Sequence, residues 1–140
     1  MNRKTQCFIS HSREDSGAAR RIASFLSNTN NVEAITWADA VFDPNVPVFE
    51  YFREIVSRSD FFIILIPSEH KTPQETLNNI MLELGYLYAT DKPLLPLFEK
   101  GHRSFNPSDL GGILYLEYDP ENIENIFHYL QNWTSRLIAA

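Results

Sequence analysis

Asp60-Phe61-Phe62-Ile63-Ile64-Leu65-Ile66-Pro67 decides the fold. Six aromatic or branched apolar residues stand in a row, and a proline stops them. A strand that is apolar at every position has no face left for water. That pattern belongs to the centre of a parallel sheet covered by helices on both sides. Working outward, Gln6 to Ser10 reads as the first strand, Val32 to Trp37 as the second and Ile113 to Tyr118 as the fifth. Pro93 to Phe98 reads as the fourth, and Pro96 marks it as an edge strand or an irregular end.

Helical spacing fills the gaps. Ala18, Ala19, Ile22, Ala23, Phe25 and Leu26 follow a capping-box pattern of Ser12 and Asp15, and the polar run Asn28 to Asn31 stops them. Pro47 suits the first turn of a second helix, with Val48, Phe49, Phe52, Ile55 and Val56 as its core stripe. After a polar loop from Ser68 to Gln74, a third helix runs from about Thr76 to Thr90, with Leu77, Ile80, Leu84, Leu87 and Tyr88 facing the core. Asp119 and Pro120 open a last helix whose stripe is Ile123, Ile126, Phe127, Leu130, Trp133 and Leu137. The alternation predicts an α/β fold: a doubly wound, flavodoxin-like, five-stranded parallel sheet in the order 2-1-3-4-5, with helices on both faces. The 140 residues are expected to form one domain spanning 1–140.

Composition narrows the function. A net charge of -6 argues against a nucleic-acid partner, which needs a basic surface. The run Phe61 to Ile66 is far shorter than the ~20 residues that cross a bilayer, so no membrane partner is expected. The single cysteine, Cys7, cannot form an internal disulfide and fits a reducing cytoplasm. Its apolar strand points to packing rather than nucleophilic chemistry. No Gly-x-Gly-x-x-Gly, phosphate-loop Gly-Lys-Ser/Thr or Gly-x-Ser-x-Gly is present. His11, His70, His102 and His128 have no metal-ligand spacing, so no metal site is expected.

One acid stands out. Glu83 lies inside the apolar run Asn79-Ile80-Met81-Leu82-Glu83-Leu84-Gly85-Tyr86-Leu87, where a buried, unpaired carboxylate is costly. On a helical wheel it flanks the core stripe beside Asn79 and Tyr86, while Leu82 points away. A carboxylate, an amide and a phenol on one flank can read sugar hydroxyls; they equally make a polar flank bonded to itself and to water. In a doubly wound sheet, ligands bind outside the carboxyl ends of the strands. That rim holds Ser10, His11 and Ser12, Trp37 with its following loop, and Ser68. The Ser10-to-Gly17 loop enters a helix N-terminus that favours anions or ribose oxygens, and capping alone explains the same serines. Trp37 can stack on a base or a nicotinamide ring, or pack at the rim.

Together these segments resemble a TIR domain. Phe8-Ile9-Ser10-His11-Ser12 is similar to that family's first strand, Trp37 to Pro47 to its BB loop, and Asp60 to Leu65 to its central strand. Asn79-Ile80-Met81-Leu82-Glu83-Leu84-Gly85-Tyr86 and Pro107-Ser108-Asp109-Leu110-Gly111-Gly112-Ile113 resemble segments of bacterial TIR-like nucleotide-binding domains from anti-phage systems, some attached to cyclic-nucleotide sensors. The resemblance implies cleavage of the nicotinamide–ribose bond of NAD⁺, which is the substrate, with no separate cofactor. Glu83 would be catalytic, and Ser10, His11, Ser12, Trp37, Phe42, Ser68, Asn79 and Tyr86 would bind substrate. Many NAD-cleaving relatives carry Trp four residues before the glutamate; Asn79 stands there instead, leaving the ring contact to Trp37, Phe42 or Tyr86. It further implies homo-oligomers through TIR–TIR contacts and a sensor or effector partner. Two alternatives remain: a non-catalytic TIR assembly using the Ala38-to-Val46 loop, and an enzyme resembling nucleoside deoxyribosyltransferases.

Overall fold

A computed structural model describes residues 4–29, 31–39, 45–101 and 115–139. Five parallel strands form one sheet: β1 (Gln6–Ser10), β2 (Glu33–Thr36), β3 (Phe61–Ile66), β4 (Leu94–Glu99) and β5 (Leu116–Tyr118). Their order is β2-β1-β3-β4-β5, as the alternation of elements implied. Helices α1 (Ser16–Thr29), α2 (Val48–Arg58), α3 (Gln74–Ala89) and α4 (Phe127–Ala139) cover it. Every residue of β3 is buried.

The strand period of two divides the core. Cys7, Ile9, Phe61, Ile63 and Leu65 pack with Ile22 and Leu26 of α1 and Leu130 of α4. Phe8, Phe62, Ile64 and Ile66 face the other way, against Phe52, Ile55 and Val56 of α2 and Ile80, Leu84 and Leu87 of α3. Burial drives the Cys7 thiol far above its ordinary range, so it stays protonated and inert.

Several sequence expectations change in detail. The β4 strand is not an edge, because β3 and β5 flank it on either side. Phe62 N–H bonds Pro93 O and Lys100 N–H bonds Tyr118 O. Even-numbered β4 residues therefore turn toward β5, whose described pairing starts at Leu97 opposite Leu116. Pro96 precedes that pairing and interrupts no described ladder bond. The fifth strand is described only from Leu116, since residues 102–114 lie outside the described range. The β2 strand ends at Thr36, and Trp37–Asp39 form a 3-10 turn.

The first helix also begins differently. A 3-10 turn, Arg13–Asp15, precedes α1, and Ser12 makes no side-chain cap. Its hydroxyl donates to the Asp15 carboxylate at 3.1 Å instead of accepting from backbone. In the last helix, a 3-10 turn at Ile123–Ile126 precedes α4, while Asp119 Oδ1 accepts from the Glu121 N–H at 2.9 Å. Val48 and Phe49 are 61% and 56% exposed. They occupy the first turn of α2, where Phe49 still stacks on Phe52 and meets Tyr86 of α3 edge-on at 5.8 Å. Tyr88, expected in the core, is 54% exposed near the end of α3.

Pro47 and Pro73 immediately precede α2 and α3 with φ of -56° and -57°, already set for helix entry. At the other end of α2, Lys92 Nζ donates to the carbonyls of Val56, Ser57 and Ser59 at 3.0, 3.1 and 2.8 Å. The first two oxygens belong to the last turn of α2, where carbonyls lose their intrahelical donors, although Val56 O also accepts the Ser59 N–H at 3.2 Å. Lys92→Met, which keeps the stem but removes the donors, is expected to cost about 1–2 kcal/mol. A urea-unfolding midpoint measures it, and an unchanged midpoint would show that water replaces the ammonium at no cost.

Candidate active site

Ser10 is the last residue of β1 and shares a face with Phe8, so its side chain points toward α3. Its Oγ donates to Glu83 Oε1 at 3.0 Å, across 73 positions of sequence. Glu83 lies one helical turn after Ile80 and one before Tyr86, on the seam between the buried stripe of α3 and its open flank. The side chain is half-buried. Burial pushes its carboxyl up to about 7, and the Ser10 hydroxyl partly opposes that shift. No basic side chain contributes to the shift.

Two cavities meet at this carboxyl. One, of about 560 Å³, is polar and reaches from Glu83 and Thr76 to Ser12, Arg13, Ser16 and Arg20. The other, of about 510 Å³, is mainly aromatic, formed by Trp37, Phe49, Phe52 and Tyr86 with Asn79 and Leu82. Glu83 and Trp37 line both and make their common wall. Both volumes suit a small organic ligand. Trp37 is held edge-on by Phe8 and Phe52, each with ring centroids 5.9 Å away. Tyr86 is tilted against Phe52 at 5.4 Å.

His11 lines the polar cavity, but its ring nitrogens are engaged. Nδ1 lies 2.7 Å from Ser12 O, and Nε2 is 3.1 Å from the Ala38 N–H. Since Nε2 must accept there, Nδ1 carries the proton and the ring is neutral. Burial, the largest cause, lowers its pKa from the ordinary value. His11 thus pins the turn that carries Trp37, and neither nitrogen is open for proton transfer to a ligand.

The structure therefore brings together Ser10, His11, Ser12, Trp37, Asn79, Glu83 and Tyr86 around two adjoining spaces. Ser68 belongs elsewhere. It lines neither cavity, and its N–H donates to Glu99 Oε1 at 2.9 Å. Glu99 Oε2 also binds Lys71 Nζ at 2.5 Å. The side chains of Asp15 and Tyr118 are buried nearby, and burial raises the Asp15 carboxyl. Ser68 therefore anchors the loop before α3 instead of facing ligand. Phe42 lies outside the described residues, as does the Pro107-to-Ile113 segment. Arg13, Arg20, Thr76, Phe49 and Phe52 were missed as site residues. The two phenylalanines read as core positions; Arg13 lies in the Ser10-to-Gly17 loop, whose helix N-terminus favours anions or ribose oxygens, and Arg20 follows it in α1.

Among the described residues no cluster of three or more His, Cys, Asp or Glu could hold a metal. None of the described helices is long and apolar enough to cross a membrane.

A 2-1-3-4-5 parallel sheet with its cavities at the switch between β1 and β3 defines a doubly wound, flavodoxin-like α/β domain. The chain is similar to the TIR domain of the Toll-related receptor TRR-2 from Hydra magnipapillata, at 15% identity and a TM-score of 0.63, covering 94% of this chain and 96% of that one. It matches the CAP12/Pycsar effector protein TIR-domain model over residues 6–120, and so belongs to that family, a TIR domain of the defence-system type. It is also similar in fold to the Clostridium botulinum CMP N-glycosidase BcmB, at 14% identity and a TM-score of 0.57, covering 88% of this chain and 97% of that one. The flavodiiron core of Flv1 from Synechocystis sp. PCC6803 is similar at 14% identity and a TM-score of 0.58, over 97% of this chain and 36% of that one. No curated protein matches the chain.

Proposed function

We propose that this domain cleaves the nicotinamide–ribose bond of NAD⁺ as the effector step of an anti-phage response. The observation that carries the reading is Glu83. It is a half-buried carboxyl with a single hydroxyl donor, set in the wall between a polar and an aromatic cavity. Nicotinamide enters the aromatic cavity, the ribose C1′ lies against Glu83, and the remainder of the dinucleotide extends through the polar cavity. The C–N bond breaks with its electron pair leaving on the nicotinamide nitrogen, which becomes neutral, so no general acid is required. Positive charge builds on the ribose, as in glycoside hydrolysis, and the fixed carboxylate stabilises it. Water then adds to C1′ and loses a proton, giving ADP-ribose. Attack by an atom of the adenine or its ribose gives a cyclic isomer instead. Membership of the effector family supports this reading, and the fold it shares with a CMP N-glycosidase is compatible with N-glycosidic chemistry.

Concentrated protein incubated with NAD⁺ is expected to release nicotinamide, measured by chromatography. Free nucleobases added as acceptors distinguish hydrolysis from base transfer. A second reading, TIR–TIR assembly without catalysis, rests on exposed apolar side chains. Phe49 and the 73% exposed Leu82 line the aromatic cavity, and the exposed Val48 precedes Phe49 in α2. Absence of nicotinamide release from an assembled sample, with any sensor partner present, would favour that reading.

A further inference from the structure

Resting on the NAD⁺ reading, we propose that Ser10 is a positioning residue for the reaction: its hydroxyl holds one oxygen of Glu83 and leaves the other for the ribosyl cation. Ser10 is not placed to touch substrate itself. It is fully buried and lines neither cavity, so it reaches a ligand only through the carboxyl it holds. Among the described residues its hydroxyl bonds Glu83 Oε1 alone, at 3.0 Å, and Glu83 Oε2 makes no hydrogen bond. A strand end is a firm mount for such a contact. Ser10 pairs with Ile64 of β3, and a short side chain on a rigid strand holds its partner more precisely than one on a loop. Glu83 needs that hold, because a long side chain on an open helix flank otherwise samples many rotamers.

The charged and titratable groups around Glu83 do not supply it. His11, Arg13 and Arg20 approach through the polar cavity, and Tyr86 of α3 through the aromatic one. His11 is neutral with both nitrogens spent. Arg20 is paired with Asp39 at 3.0 Å, and Arg13 is exposed to solvent. From α2 come Phe49 and Phe52, and from the turn after β2 comes Trp37, none of them charged. Burial raises the carboxyl to about 7, and the Ser10 hydroxyl is the one group that opposes it. A hydroxyl donated to a carboxylate favours the charged form, and does so more strongly where water is excluded.

The test compares wild type, Ser10→Ala and Ser10→Cys. In Ser10→Ala the midpoint of the rise in kcat/KM with pH is expected to move up by about one to two pH units, the loss of one hydrogen bond to a charged group. Nicotinamide release then falls about 5–50-fold at pH 7 and recovers as pH passes the new midpoint. A residue that only packs would lower the rate by one factor at every pH, and that result overturns the proposal. Ser10→Cys fills the same space with a weak donor and is expected to follow Ser10→Ala; a cysteine variant that titrates like wild type assigns the effect to packing and also overturns it. Carbon-13 NMR titration of the Glu83 carboxyl, with its signal identified against Glu83→Gln, separates this role from the catalytic reading. A raised midpoint in Ser10→Ala supports the role of Ser10 even if no NAD⁺ is cleaved and the catalytic reading fails. An unmoved midpoint removes that role, even if NAD⁺ is cleaved.

Discussion

Glu83→Gln is expected to lower the rate of nicotinamide release by at least about 10²–10³-fold, the scale for removing one preorganised electrostatic stabiliser. The substitution keeps shape and hydrogen-bonding capacity but removes the charge, so the loss reports on charge. Substrate affinity should change much less than kcat, because the ribose becomes cationic only on the way to the transition state. The carboxyl is pushed up to about 7 by burial, so wild-type kcat/KM should rise with pH through that value and level off above it, where the carboxylate dominates. The opposite slope is expected for stability. The folded pKa exceeds the ordinary 4.5, so the stabilising contribution is complete below about 4.5 and is lost as pH rises through about 7. Glu83→Gln should therefore gain stability relative to wild type between pH 5 and pH 8, read from urea midpoints at both. Equal turnover by wild type and variant would take Glu83 out of the mechanism.

Phe8→Ala is expected to cost about 3–5 kcal/mol, the range for truncating a buried aromatic ring. That is a large part of the roughly 5–15 kcal/mol that keeps a domain folded. Phe8 is fully buried on β1 and meets both Trp37 and Phe52 edge-on, at 5.9 and 5.8 Å. Removing the ring leaves a void under the wall between the two cavities, and the sheet cannot collapse to fill it. Trp37 would lose its support, so tryptophan emission should shift along with the unfolding midpoint. Phe8→Leu, which keeps most of the volume, should recover much of the stability. A cost under about 1 kcal/mol for Phe8→Ala would mean that the site relaxes freely and that Phe8 does not fix Trp37.

The sheet was legible because its signals are local. Six consecutive apolar residues at Phe61 to Ile66 can be dry on both faces only in a central strand, and the apolar period identified the helices around it. Glu83 was legible as an anomaly, a carboxylate in an apolar run, and Ser10 as a residue on the strand-end rim. Their 3.0 Å hydrogen bond was not. It depends on how β1 is aligned in the sheet and how α3 docks across it, neither of which is written in local spacing. Exposure of Val48 and Phe49 has a similar cause. Helical periodicity marks apolar positions but not how much of each ring the opposing helix covers: Phe49 meets Tyr86 of α3 at 5.8 Å and is still 56% exposed.

By itself, the sequence determined the doubly wound sheet, the rim where a ligand would lie and the acid worth testing, because hydrophobic period and residue type act over a few neighbouring positions. Only the tertiary structure decided that Ser68 belongs to the Glu99–Lys71 cluster, that both ring nitrogens of His11 are spent, and that Asp39 compensates Arg20 but not Arg13. Those are pairings between distant segments, created when the chain closes and fixed by packing at the ends of the strands.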